Sequence, residues 1–501
     1  MLQFGEFLPD QSDYTNVGAT DAKNCIPLTN KSYAPLRDLS PVIDALTNRI
    51  QGAVSMQESD GTQHTFCGDN QNLFLLGSSA FAEISKSTNA YTCATDDHWD
   101  FVQYGNRAIA VNGHTDAPQS FVMGTSSDFA DLGGSPPQAK HCGVVGEFVM
   151  FGNIDDATDG VVPQRVHWCA INDPTDWPTI GSSDAAQKQS DRQDLKSGLS
   201  VQAIIGAVGG ADGAIFMRNS VFRVSYVGAP LVFEFKEVER GRGTIASQSV
   251  VNVGAFAFYL AEQGFFVYNG TTSQAIGNQK VDKFFFADLD FNFLHRITAA
   301  QDPVNKLVYW SYPGANNIDG RPNKVIIYNW EIGRWSYGEI TADLIFTDTS
   351  PGYTMDNIDG FGNIDAIDTT FDDRFWVGGL SSLSAFNSAH RLSTFTGSAL
   401  ATTLTTTEFG GMELFSKPNE RLYVNGVRPY VDGGTITVEL DYRDSPSGSV
   451  TTDGPNSVDA NGTAHFTRSC RYARATIKVA AGGTWTHAQG VDLDVSEDGT
   501  S

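Results

Sequence analysis

The sequence predicts an all-β chain: a degenerate β-propeller of six or seven blades, preceded by an extended N-terminal arm and followed by a β-sandwich. Three observations carry that prediction. From about residue 60 onward, short apolar strands alternate with Gly, Asn and Asp turns. The turns recur at a spacing near the ~40–50 residues of a four-stranded blade. After residue 400 the pattern changes to strict two-residue alternation, the mark of half-buried antiparallel strands.

Residues 1–45 are rich in Asp, Asn, Thr and Pro with little periodicity, and read as the extended arm. Residues 46–398 read as the propeller. Hairpins are expected at Thr65–Cys67 with Leu73–Leu76, Phe101–Tyr104 with Arg107–Val111, and Val144–Val145 with Phe148–Phe151. Further hairpins pair Ala203–Val208 with Ala214–Met217, Ala255–Leu260 with Phe265–Tyr268, and Ile297–Ala300 with Lys306–Tyr312; a last unit is expected near Arg374. The turn centres, at 69, 105, 146, 211, 263, 303 and 374, lie 36, 41, 65, 52, 40 and 71 residues apart. The polar insertion Ser182–Gly198 accounts for one wide gap and the Asp-rich stretch Asp343–Asp373 for the other. Lys324–Tyr328 and Arg334–Tyr337 flank a tight turn, and Arg165–Trp168 leads into a similar turn. Short helices are expected only at Pro41–Gln51 and within Ser182–Ser197. Trp168, Trp177, Trp310, Trp330, Trp335 and Trp376 read as packing between blades, because Trp fills wedge-shaped gaps and needs one acceptor.

Residues 399–501 read as the C-terminal sandwich. Ile436, Val438, Leu440 and Tyr442 share one face, as do Ala473, Ala475, Ile477 and Val479, and Val491, Leu493 and Val495.

Lys plus Arg number 33 and Asp plus Glu 58, for a net charge of −25. That balance argues against gripping nucleic acid or an anionic membrane through a basic surface. No apolar run approaches the ~20 residues of a membrane span. The N-terminus lacks a basic region followed by an apolar one, so synthesis and folding in a cytoplasm are expected. Six sparse cysteines without a C-x-x-C pair read as reduced, buried thiols.

The search for chemistry assigns no catalytic, cofactor-binding or metal-binding residue, and no cofactor. Acidic pairs such as Asp155–Asp156 and Asp372–Asp373 are ordinary in so acidic a chain. The sequence contains no G-x-S-x-G elbow, H-E-x-x-H helix or P-loop. His141 with Cys142, and His167 with Cys169, lack the spacing of a zinc module. The Asp-rich segments 152–160 and 355–368 suggest calcium, but aligning Asp359-Gly360 on an EF-hand loop puts Met355 at the first ligand position. Arg468, Arg471, Arg474 and Lys478 form the densest basic group, read as a strand face balanced by Asp492 and Asp494.

Five segments together resemble one family: FGEFLPDQSDYTNVGATDAKNCIP at the start, HWCAINDPTDW at 167–177, YNWEIGRWSYGE at 328–339, GYTMDNIDGFGNIDAIDTTFDDRFWVGG at 352–379, and GTWTHAQGVDLDV at 483–495. They resemble the tail nozzle, or packaged-DNA stabilisation (tail tube) protein, of short-tailed bacteriophages. The resemblance implies a non-enzymatic virion protein, made in the host cytoplasm and built into the tail. It implies a homohexameric ring below the portal adaptor that carries fibres or tailspikes and meets a needle or plug. Packaged double-stranded DNA would pass through its channel without specific binding. The competing reading is a phage glycan-binding propeller or depolymerase, which would show converging acids at the propeller mouth.

Overall fold

The computed structural model describes residues 1–13, 16–77, 80–349, 381–417 and 420–499. Six four-stranded antiparallel sheets, and a seventh set of four strands that belongs to a larger sheet, follow one another around a ring. Blade one contains Gly52–Gln57, Gln63–Gly68, Leu73–Leu76 and Phe81–Glu83; blade two runs from Asp100–Tyr104 to Ala130–Asp131. Blade three is formed by Gln138–Val145, Phe148–Asp156, Gly160–Trp168 and Asp191–Asp194, and blade four runs from Val201–Val208 to Val232–Arg240. Blade five runs from Val251–Asn252 to Ser273–Ala275, and blade six comprises Thr298–Asp302, Leu307–Tyr312, Lys324–Asn329 and Arg334–Gly338. Blade seven comprises Ala342–Thr349, Ser381–Asn387, Leu392–Thr394 and, from the other end of the chain, Ser40–Pro41. The first strand of each blade lies innermost, and that of blade seven packs against that of blade one.

Six of the seven expected turn centres fall one to a blade, because each apolar strand pair with a Gly or Asn turn forms a local hairpin. At the blade-three turn, Gly146 has φ +58°, a conformation glycine adopts without cost. The unit expected near Arg374, with Trp376, Asp372–Asp373 and the segment 355–368, lies outside the described residues.

Two local expectations are corrected. Pro41–Gln51 forms no helix: Ser40 and Pro41 pair with Thr394 and Ser393 as the outermost strand of blade seven, where a residue without an N–H is tolerated. The stretch read as a polar insertion supplies only the short helix Ser183–Lys188, and then the fourth strand of blade three, Asp191–Asp194. Lys–Asp pairing along the helix and the Ser182 N-cap hold it, but at six residues it organises nothing larger.

The arm is extended and lies within the C-terminal sheets. One sandwich sheet orders Cys25–Thr29, Ser32–Pro35, Ala488–Glu497, Leu422–Val431 and Ala464–Cys470, with Leu2–Gln3 also on Ala488–Glu497. The other continues blade six: Arg334–Gly338 pairs in parallel with Asp21–Lys23, followed by Thr402–Thr405, Tyr472–Val479, Ile436–Arg443 and Thr451–Ser457. Val438, Leu440, Ala475 and Ile477 from this sheet meet Leu422, Val424 and Val491 from the first. That core is continuous with Phe265, Trp310 and Trp335 inside the propeller, so the two halves share one apolar interior.

Candidate functional site

Polar side chains converge where the chain enters the innermost strands. Lys140 forms an ion pair with Asp97, joining blade three to the segment before blade two. The rings of His98 and His141 lie 5.5 Å apart, and Asp100 Oδ2 is 3.6 Å from His141 Nδ1. Gln51 donates to the carbonyls of Ala94 at 2.7 Å and Asp97 at 2.9 Å. Beside this group, on blade seven, the buried Asp343 carboxylate pairs with His390, lies 3.4 Å from Arg321 Nε and 3.9 Å from Arg296. A cavity of about 290 Å³ beside the first group is lined by Asp97, His98, Lys140, His141, Gln202 and His295.

Burial, reinforced by neighbouring His141, holds His98 down at about 4. His295 is lowered by burial and by Arg296 and Arg49, and Arg296 itself falls to about 10 through burial and Arg49. The charged groups of the mouth are committed to one another across blade boundaries. Asp348 acts in the same way between blades seven and one, accepting from Thr65 at 3.1 Å and from Ser384 at 3.0 Å. Burial raises its carboxyl above the ordinary range. The arrangement pins blades together; among the described residues, no three His, Cys, Asp or Glu side chains are grouped to hold a metal.

A second convergence lies at the blade-six junction, and it gathers three of the five segments that carry the family resemblance. Arg334, 4% exposed, donates to the carbonyls of Thr29 at 3.0 Å, Phe4 at 3.1 Å and Gly5, and to the Tyr33 hydroxyl at 3.0 Å. Its guanidinium also lies over the Tyr33 ring, 4.6 Å from the centroid. Tyr337 donates to Asp21 at 2.9 Å and stacks on Phe7. Asn24, at φ +55°, receives Glu339 N at 2.8 Å through its side chain. From the third segment, Gln489 O accepts Phe4 N at 2.9 Å, while Leu2 pairs with Val491. The planar fork of arginine can serve several carbonyls at once, which ties chain ends to the propeller.

The other singled-out residues are also structural. Trp335 is fully buried between blades five and six: its Nε1 donates to Ile276 O at 3.2 Å and its ring lies 5.1 Å from Phe265. Trp310 donates to Ser249 O at 3.0 Å, Trp168 to Gln189 O at 2.9 Å, and Trp177 to Pro174 O at 2.9 Å. Trp330 is half-buried near Phe258. Asp156 accepts from Thr158 N and pairs with Arg192, and Asp159 pairs with Arg165, which also holds Asp194, so arginines take up two of the three carboxylates of segment 152–160. The six cysteines are buried thiols; Cys169 Sγ accepts Val149 N at 3.1 Å. In the basic group, Arg468 pairs with Asp453, Arg474 with Asp13 and Lys478 with Glu439. Balance therefore comes from the neighbouring strands and the arm. Asp492 is instead engaged by the N-terminal amine and Tyr430.

The sequence reading missed Arg334, Asp343 and Asp348. Arg334 had a signal: a lone cation opening the aromatic strand RWSYG. The two acids had none, because their partners sit on other strands and loops at no regular spacing, from Arg321 and Ser384 to Thr65.

The buried histidines make stability pH-dependent. Burial holds His167 at about 4, against a smaller upward effect from Asp156, and His98 is also at about 4. An unfolded chain protonates these imidazoles near 6.5 and the folded chain only near 4, so stability rises with pH between those values. Asp282, pushed by burial to about 6, has the opposite sign, contributing less as pH rises from 3.8 toward 6. The urea midpoint should therefore fall between about pH 7 and pH 5, less steeply in His167→Phe and more steeply in Asp282→Asn. A flat midpoint would contradict the burial of both imidazoles.

No family model matches the chain, and no curated protein matches it. Among solved structures, the extracellular domain of a one-component system from B. thetaiotaomicron is similar at 11% identity and TM-score 0.41, covering 86% of this chain. The chain spans 46% of that domain's length. AztD from Citrobacter koseri aligns over 58% of this chain and 72% of its own, at 12% identity and TM-score 0.31. The Neurospora crassa Pan2 WD40 domain aligns over 72% of this chain and 98% of its own, at 6% identity and TM-score 0.40. With scores this low, the propeller rests on the strand pairing described above.

Proposed function

We propose that the chain is a structural protein of a short phage tail, the nozzle at its distal end, without enzymatic activity. The observation that carries this reading is the convergence of three resembling segments, from the two chain ends and blade six, on Arg334 and its strand partners. A subunit that must transmit load along a tail benefits when propeller and sandwich share one core and one continuous sheet. In this reading the protein assembles as a homohexameric ring below the portal adaptor, extends the DNA channel, helps retain the genome and supports fibres or tailspikes. A needle or plug closes the channel. The net charge of −25 favours passage of DNA without adhesion, since an acidic wall repels phosphates over a screening length of ~8–10 Å.

Negative-stain microscopy of the purified protein with its adaptor should show a closed ring, and the protein should leave duplex DNA unshifted in a gel at physiological salt. Failure to form a ring with the adaptor would overturn the assignment. Tight duplex binding would overturn the repulsive wall.

A further inference from the structure

We propose that a cleft beside blade three binds a neutral saccharide, a site that stands independently of the nozzle reading. The cleft, about 610 Å³, opens between the linker 134–138, the hairpin turn 155–158 and residues 177–180. Its volume lies within the usual range for small-molecule sites.

His167 forms part of its wall. It is 8% exposed, and neither ring nitrogen has a hydrogen-bond partner. Strand register places it between Phe151 and Arg192, and it meets Trp177 edge-on at 5.3 Å. Trp177 is itself stacked on Phe151 at 4.7 Å, so the imidazole is hemmed in by rings. Two idle nitrogens in a buried ring are costly, and such groups in folded proteins are normally satisfied. A neutral imidazole offers one donor and one acceptor; both are covered by protein, so a ligand's hydroxyl answers either by turning the ring toward the cleft it lines.

The charge of the wall narrows the ligand. Arg192 is already engaged by Asp156 and lies 3.3 Å from Asp159, so it is not free to receive an anion. Asp155 stands half-buried in the lining and would repel one. Asp155 and the side-chain oxygen of Gln138, whose amide nitrogen donates to Thr115 O, instead suit hydroxyl groups, while Pro136, Pro178 and Trp177 give an apolar wall for the C–H face of a pyranose ring. A neutral, polyhydroxylated ring satisfies all of these surfaces together.

Saturation-transfer NMR on the full chain, with glucose, galactose and N-acetylglucosamine at millimolar concentration, tests the proposal. Transfer to at least one sugar is expected, with affinity falling about tenfold in His167→Phe and in Asp155→Asn. Absence of transfer from all three sugars, or transfer unchanged in both variants, would overturn it. Binding of a proline-rich peptide without any sugar would overturn it as well. Should His167→Phe fail to fold, the half-buried Asp155→Asn decides alone.

Discussion

Trp335→Ala is expected to destabilise the folded protein by about 3–5 kcal/mol, the range for removing a buried large aromatic. The indole is completely buried and lies 4.5 Å from Tyr328, 5.1 Å from Phe265 and 5.9 Å from Trp310. Phe265 belongs to blade five and the others to blade six, so truncation opens a void in the wedge between two blades. Rigid sheets cannot close such a void by moving one strand, because each strand is held by its ladder. The variant also strands the carbonyl of Ile276, which accepts from Nε1. Trp335→Phe should recover much of the loss by filling volume without the hydrogen bond. A urea titration measures both. A loss below about 1 kcal/mol for the alanine variant would show that the wedge can collapse.

Arg334→Met is expected to cost about 3 kcal/mol, with its effect concentrated on the N-terminal arm. Methionine conserves much of the apolar volume but none of the donors. The Gly5 carbonyl keeps the Tyr33 hydroxyl at 2.9 Å, so the carbonyls of Phe4 and Thr29 are the acceptors left without their guanidinium partner. The buried Phe4 carbonyl costs about 1–3 kcal/mol as an orphan and that of exposed Thr29 less, offset in part because a desolvated guanidinium no longer has to be accommodated. Arg334→Lys should rescue less than half of the loss, because a single ammonium cannot reach several carbonyls in the geometry of the planar fork. Limited proteolysis supplies the second reading: cleavage within residues 1–35 should accelerate in Arg334→Met, whereas cleavage within blades one to four should not. Uniform acceleration would place the effect on global stability instead.

Both variants rest on contacts of different legibility. Trp335 was recognisable because GRWSYG follows a tight turn and an apolar strand, and a tryptophan there has few places to go other than between blades. The role of Arg334 depended on residues 4, 5, 29 and 33, more than 300 positions away in the chain, so spacing could not reveal it. The same holds for Asp343, whose partners Arg296, Arg321 and His390 come from two blades. It holds again for Asp348, which meets Thr65 of the neighbouring first blade, 283 positions away in the chain. The acids of segment 152–160 were visible as a cluster, but their partner Arg192 arrives on a strand that composition marked only as polar.

The sequence by itself determined the class of fold, the hairpins and the alternation of the C-terminal strands. These follow from side-chain period and turn chemistry within some ten to twenty residues, where backbone geometry leaves few alternatives. Only the tertiary structure decided that there are seven blades, that Ser40–Pro41 completes the seventh, and that the arm is woven into the sandwich sheets. Edge pairing of this kind uses backbone N–H and C=O groups, which every residue carries, so it leaves little trace in residue type. The partner of an edge strand is chosen by which edges the completed ring and sandwich bring within reach.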